Sequence, residues 1–221
     1  MKQLLATILV LSCSLSYAFD PYAEDPKGEK ILTLYKTYHI TKDKAIVTKT
    51  INIINDGLWD EGVFEMRFKA FFSELFAVNE TVKNEFENKL SKIKNADFID
   101  VFEKILASGV ADIYANAPQT PDVNEMLCYS YYANGDTKYI DQLLEKAKDN
   151  EERTDLNRFM IGANALWWLA TLKAEDENVE KYLQSLTDNQ FAVTALKSRA
   201  YDLKNDQLQV LQEQKKNKNW K

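Results

Sequence analysis

The chain has 221 residues, 45% of them hydrophobic and 28% charged, with six Gly, four Pro and two Cys. That hydrophobic content excludes disorder as the main state, and the low Gly, Pro and Cys counts exclude collagen-like and disulfide-scaffold classes. A formal net charge of -6 argues against a nucleic-acid partner, because phosphate binding requires a basic face.

Residues 1–18 read as a signal peptide. Met1-Lys2 supplies a short positive start, Leu4 to Leu11 an apolar run broken by Ala6 and Thr7, and Ser16-Tyr17-Ala18 a small-x-small cleavage signal. The run is too short for a bilayer core of roughly 30 Å, which needs about 20 apolar residues, so cleavage is expected rather than anchoring. A lipoprotein is the rival reading, since Val10-Leu11-Ser12 before Cys13 resembles a lipobox in which Leu11 is atypical. Cleavage leaves Cys128 as the single cysteine, so stability must come from packing and not from a disulfide. The compact leader looks bacterial and points to a periplasmic or secreted protein. No later apolar run is long enough to span a membrane, so an integral membrane protein is not expected.

Residues 19–29, with two Pro, one Gly and four acids, read as a loop. Residues 30–211 read as one α-helical domain. Apolar residues recur at i, i+3, i+4 and i+7 in five blocks: Phe64 to Leu75, Phe98 to Ile105, Ile140 to Ala147, Phe159 to Ala170, and Val179 to Leu186. That is the amphipathic-helix signature, and the fold class it predicts is all-α. Thr120 before Pro121, the Thr187-to-Gln190 capping box, Asp43 and Asp136 are the expected starts, and Gly57 and Gly109 the expected stops. Residues 212–221 carry four Lys against one Glu and read as a basic tail.

Residues 31–54 admit two readings. Leu32 to Ile40 and Ala45 to Ile54 are rich in β-branched residues and would make a hairpin of strands across Thr41 to Lys44. Yet Ile31, Leu34, Tyr35 and Tyr38, and then Val47, Thr50, Ile51 and Ile54, keep the helical period. Internal similarity decides for helix: Thr37 to Val47 lies over Ser130 to Ile140, each with Tyr, a polar turn, Asp and a following apolar residue. Looser copies run from Trp168 through Glu175-Asp176 to Leu183, and from Phe72 through Asn79 to Val82. Such hairpins cannot bury an apolar stripe alone and must stack.

The aromatic, the small residue, the Gly135-Asp136 turn and Tyr139-Ile140 resemble tetratricopeptide or related α-hairpin repeats, with irregular spacing between copies. Tyr129 to Ile140, Ala165 to Ala170 and Val179 are similar to a set of small exported bacterial proteins without established activity. The resemblance implies an architecture of stacked antiparallel helical hairpins (a short solenoid or an irregular bundle) and export; it implies no chemistry.

His39 is the sole histidine. A pairing with Cys128 is conceivable, but neither has a nucleophile elbow around it, and His39 reads as a helix-end residue beside a polar turn. One histidine excludes a paired-histidine zinc site and one mature cysteine a structural zinc cluster, and phosphate-loop motifs are missing, so no cofactor is expected. Cys128, in a mostly apolar helix, reads as a small buried hydrophobe. Trp59-Asp60-Glu61 would suit a carboxylate-based hydrolase, or simply a helix start whose acids suit the dipole.

The remaining feature is aromatic. Neighbours on a helix point about 100° apart, so Trp167 and Trp168, or Tyr131 and Tyr132, are not expected to share one core seam. Trp167 shares a stripe with Ala163 and Ala170 and is expected in the core. Trp168 shares one with Asn164 and Thr171 and is expected outside. Trp168, Tyr131, Tyr132 and Trp59 are therefore the candidate anchors for a protein or peptide partner in the cell envelope. The function expected is a non-enzymatic interaction scaffold, with a periplasmic hydrolase or a small-ligand carrier as alternatives.

Overall fold

The structure, a computed structural model, describes residues 33–57, 61–115, 117 and 119–217, with side chains at 61–64 not described. The leader 1–18, Cys13, the loop 19–29, Trp59, Asp60 and residues 218–221 lie outside the described residues. A helical turn at 33–36 leads into α1 (Tyr38–Thr41) and α2 (Ile46–Asn55), followed by α3 (Glu61–Val78), α4 (Glu80–Lys89) and a 3-10 turn at Leu90–Lys92. Then come α5 (Ala96–Ala107), α6 (Val110–Ala115), α7 (Asp122–Asn134), α8 (Lys138–Ala147) and a second 3-10 turn at Lys148–Glu151. The chain closes with α9 (Leu156–Glu175), α10 (Glu177–Ser185), α11 (Gln190–Lys197) and α12 (Ala200–Lys216).

The fold is all-α, with no strand among the described residues. Residues 33–54 are helical despite their β-branched composition, because Ile46, Val47, Thr50, Ile51 and Ile54 all fall on one buried face. Alternation would have sent half of them to solvent. Propensity is the weaker term here, and burial of a stripe overrides it.

Two turns share one hydrogen-bond pattern. Lys42 (φ 47) and Gly135 (φ 78) are both left-handed, and their N–H groups donate to Tyr38 O at 2.8 Å and Tyr131 O at 2.7 Å. Next, Asp43 Oδ1 accepts from Ala45 N at 2.8 Å and Asp136 Oδ1 from Lys138 N at 2.9 Å. Glycine adopts that conformation freely, whereas Lys42 does so against its Cβ. At the other two aligned sites the polar side chain caps the next helix directly. Asp176 Oδ1 accepts from Asn178 N at 2.8 Å, and Asn79 Oδ1 from Val82 N at 3.1 Å.

The long helices α3, α7 and α9 run parallel. Arg67 pairs with Glu125 toward the starts of α3 and α7, while Glu74 accepts from Asn134 at their ends. Asn124 donates to Ile161 O near the start of α9, and Tyr131 reaches Asp176 just past its end. Residues 33–41 lie across α3 and α7, with the Tyr35 ring 4.7 Å from Phe71 and 6.4 Å from Tyr129. Phe68, Phe72, Phe76, Phe86 and Phe102 continue the aromatic core behind them.

Several expectations are corrected here. Trp168 is buried, at 3% exposure, whereas Trp167 is only partly buried. The reason is that α9 is central, packed by α7, α8, α10, α11 and α12, so its polar stripe also faces protein. Asn164, on that stripe, is buried against the Asn124 amide at 3.0 Å. Tyr131 and Tyr132 are likewise both buried, because α7 is enclosed by residues 33–41 and α3 on one side and α8 and α9 on another. Gly162 packs directly against the 3-10 turn, where an added Cβ would sit 2.0 Å from Asn150 N.

The starts also differ in detail. The Thr120 hydroxyl donates to Asp122 instead of capping the backbone, and α11 is capped by Asn189, which accepts from Phe191 and Ala192 N–H groups, instead of Thr187. Helix α12 continues to Lys216, so residues 212–216 belong to the helix rather than to a separate tail.

Replacing a buried Trp by Ala typically costs about 3–5 kcal/mol. Trp168→Ala is expected to lose that much in urea unfolding, and Trp167→Ala clearly less; equal losses would contradict the burial order. Gly162→Ala must displace backbone at Asp149 and Asn150, and overpacking of this kind typically costs about 1–3 kcal/mol. A Gly162→Ala protein that melts at the unsubstituted temperature would contradict the close approach.

Candidate functional site

The parallel helices bring their ends together, and the polar side chains there form a seam with a buried centre and solvent-facing edges. His39 Nε2 lies 2.6 Å from Asp176 Oδ2, and the Tyr131 hydroxyl donates to the same oxygen at 2.6 Å. Both members of the His39–Asp176 pair are 5% exposed at the side chain. Next to it, Lys36 Nζ pairs with Glu175 Oε1 at 2.8 Å, and Tyr132 donates to Glu175 Oε2 at 3.1 Å. On the α3 side, Asn134 Nδ2 donates to Glu74 Oε2 at 2.8 Å, with Lys138 Nζ 3.7 Å from Glu74 Oε1.

Local sequence places each group. Helix α9 ends at Glu175, and Asp176 then turns extended and caps α10, so local sequence places its carboxylate at the junction. Gly135, left-handed at φ 78, turns the chain beside the His39 ring, with which a Cβ would make ordinary contact at 3.5 Å. The ring lies 4.9 Å from that of Tyr131 and 6.4 Å, nearly parallel, from that of Tyr132.

The electrostatics follow from this geometry. Burial alone would raise the Asp176 carboxyl, but hydrogen bonds from Tyr131, the Asn178 N–H and His39 outweigh it and hold the group below the usual 3.8. Burial, with the Asp176 hydrogen bond and charge, pushes the Tyr131 phenol up. Glu74 is raised, chiefly by burial, with the nearby Lys138 opposing. Burial and the charges of Glu125 and Glu175 push the Cys128 thiol well up, which keeps it in the unreactive protonated form.

Chemically, the seam contains a histidine–carboxylate pair, the arrangement that orients an imidazole in general-base catalysis. Here the nitrogen on the carboxylate is tied to the helix junction, and Nδ1 is buried without a hydrogen-bond partner in the protein. The pair therefore fastens the first helical segment to the α9–α10 junction. Among the described residues no group of three or more His, Cys, Asp or Glu could hold a metal ion, and no helix is long and apolar enough to cross a membrane.

Of the sequence-derived candidates, Tyr131 and Tyr132 join the seam through their hydroxyls, on the inside of the protein rather than on an open groove. Trp168 lies in the core two turns before Asp176. Only the backbone of Glu61 is described, as the first residue of α3. Sequence reasoning did not single out Lys36, Glu74, Glu175 or Asp176 as a cluster, because they come from three separate segments. Nor did it find Ile40, Val78 and Tyr201, exposed large apolar residues among the described residues, at 59%, 61% and 70%. Comparison with known proteins gave no matching family model, curated protein or solved structure.

The folded Asp176 carboxyl binds its proton at lower pH than the unfolded one. Its contribution is therefore complete above the ordinary value of 3.8 and is lost as pH falls through the lowered folded value. Asp176→Asn is expected to lower stability at neutral pH and to flatten the acid limb of the stability curve. Tyr131→Phe, which removes one donor, should bring the folded value closer to 3.8 and so make that limb smaller. Urea titrations across the acid range check both, and superimposable acid limbs would contradict the assignment.

Proposed function

We propose that the protein is an exported, non-enzymatic interaction protein of the bacterial cell envelope, a short tetratricopeptide-like stack of helical hairpins that presents a surface to another protein. The observation that carries this reading is the double use of Asp176, whose one oxygen takes both His39 and Tyr131. The groups best suited to chemistry hold helix ends together, as the joints of a rigid scaffold do. The leader at residues 1–18 supports export.

The partner-facing residues are reassigned. With Trp168, Tyr131 and Tyr132 inside, the contact surface falls to Ile40 and Val78, both exposed and both at the end where the hairpin turns gather. Isolated exposed apolar residues are ordinary, so the reading rests on their shared position. Photo-crosslinking in exporting cells tests it. A crosslinker at 40 or 78 should give one discrete protein adduct, and one at Tyr201, on α12, should give none. Adducts of equal yield from all three positions, or ester or glycoside hydrolysis abolished by Asp60→Asn or Glu61→Gln, would overturn the scaffold reading.

A further inference from the structure

Asn134-Gly135 is the one Asn-Gly dipeptide in the chain. Asparagine is among the chemically labile residues, and a following glycine, lacking Cβ, leaves its own amide nitrogen open to attack the asparagine side chain. In that reaction Gly135 N bonds to Asn134 Cγ, the Cγ–Nδ2 bond breaks, and Nδ2 departs as ammonia with the proton from Gly135 N. Water then opens the cyclic imide at either carbonyl, giving aspartate or its isoaspartyl isomer.

We propose that Asn134 is a fold-gated modification site, protected from this reaction in the closed α7–α8 turn and converted when the turn opens. In the closed turn every participating group is engaged. The nucleophile, Gly135 N–H, donates to Tyr131 O at 2.7 Å. The leaving group, Asn134 Nδ2, donates to Glu74 Oε2 at 2.8 Å, and Asn134 Oδ1 accepts from Asp136 N at 2.8 Å. Attack requires Gly135 N–H to leave Tyr131 O and the Asn134 amide to turn away from Glu74.

The product does not fit the turn it came from. An aspartate at 134 replaces the donor to Glu74 with a second carboxyl, and the Glu74 side chain is only 3% exposed. Two close carboxylates in a buried site cannot both ionise without cost. The isoaspartyl form also lengthens the backbone within a turn set by Gly135 at φ 78 and by Asp136 Oδ1 on Lys138 N. The Glu74–Asn134 pair joins α3 to α7, so the modification removes a tie between the two helices at the end where the seam lies. The modified chain is a lasting record that the turn has opened.

The test incubates the full chain in mildly alkaline buffer, folded and in urea, and follows residue 134 by peptide mass analysis. Folded protein should lose the amide at least about tenfold more slowly, the factor set by a local opening free energy of about 1.4 kcal/mol. Equal rates in the two states would overturn the proposal. Asn134→Asp should lower the melting temperature, and adding Glu74→Gln should recover part of the loss; an unchanged melting temperature in Asn134→Asp would also overturn it. If Asn134→Asp does not fold, urea-aged chains returned to buffer are separated into folded and unfolded fractions. Enrichment of the modified residue in the unfolded fraction supports the gate, and equal partition refutes it.

Discussion

A single carboxylate oxygen, Asp176 Oδ2, holds the ends of three segments that are far apart in sequence. It takes the Tyr131 hydroxyl from α7 and the imidazole of His39 from α1, 137 residues away, while Oδ1 caps α10. A buried carboxylate is tolerated only when its lone pairs are filled, and here three donors fill them. The reverse also holds: removing any one partner leaves charge or a donor stranded in the interior, which is costlier than losing the contact itself. Parallel helices joined by return helices have no sheet ladder to fix their register, and the seam supplies that register at one end.

Away from the seam, packing does the work. Helix α9 is enclosed on nearly every side, which requires small residues where backbone approaches closely and polar residues that satisfy one another. Gly162 meets the first requirement against the 3-10 turn, and Asn124 with Asn164 meets the second. Gln207 of α12 adds a third polar tie, donating to Ala163 O at 2.8 Å, so the last helix is seated by a hydrogen bond as well as by Leu203.

Helix existence was legible because one-faced burial writes its period into the chain: α8, α5 and α10 each carry a clear stripe. The helix starts at Asp43 and Asp136 were legible too, since each carboxylate accepts from the backbone N–H two residues on. What escaped was the environment of helices without a single face. In α9 the stripe read as polar includes Asn164, which is buried and hydrogen-bonded within the protein, as are Asn124 and Ser130 of α7. Amphipathic reasoning assumes polar means outside, and it placed Trp168 outside for that reason. The seam itself was illegible, because nothing local connects Lys36 and His39 with Glu175 and Asp176.

The His39–Asp176 contact couples the first helical segment to the α9–α10 junction. The most direct measurement is a double-mutant cycle in urea with His39→Gln, Asp176→Asn and the pair. Residues in one buried network show interaction energies of about 0.5–3 kcal/mol, whereas independent sites add within about 0.3–0.5 kcal/mol. The account predicts a coupling of about 1 kcal/mol or more at neutral pH. Strict additivity would mean that the seam does not hold these helices together.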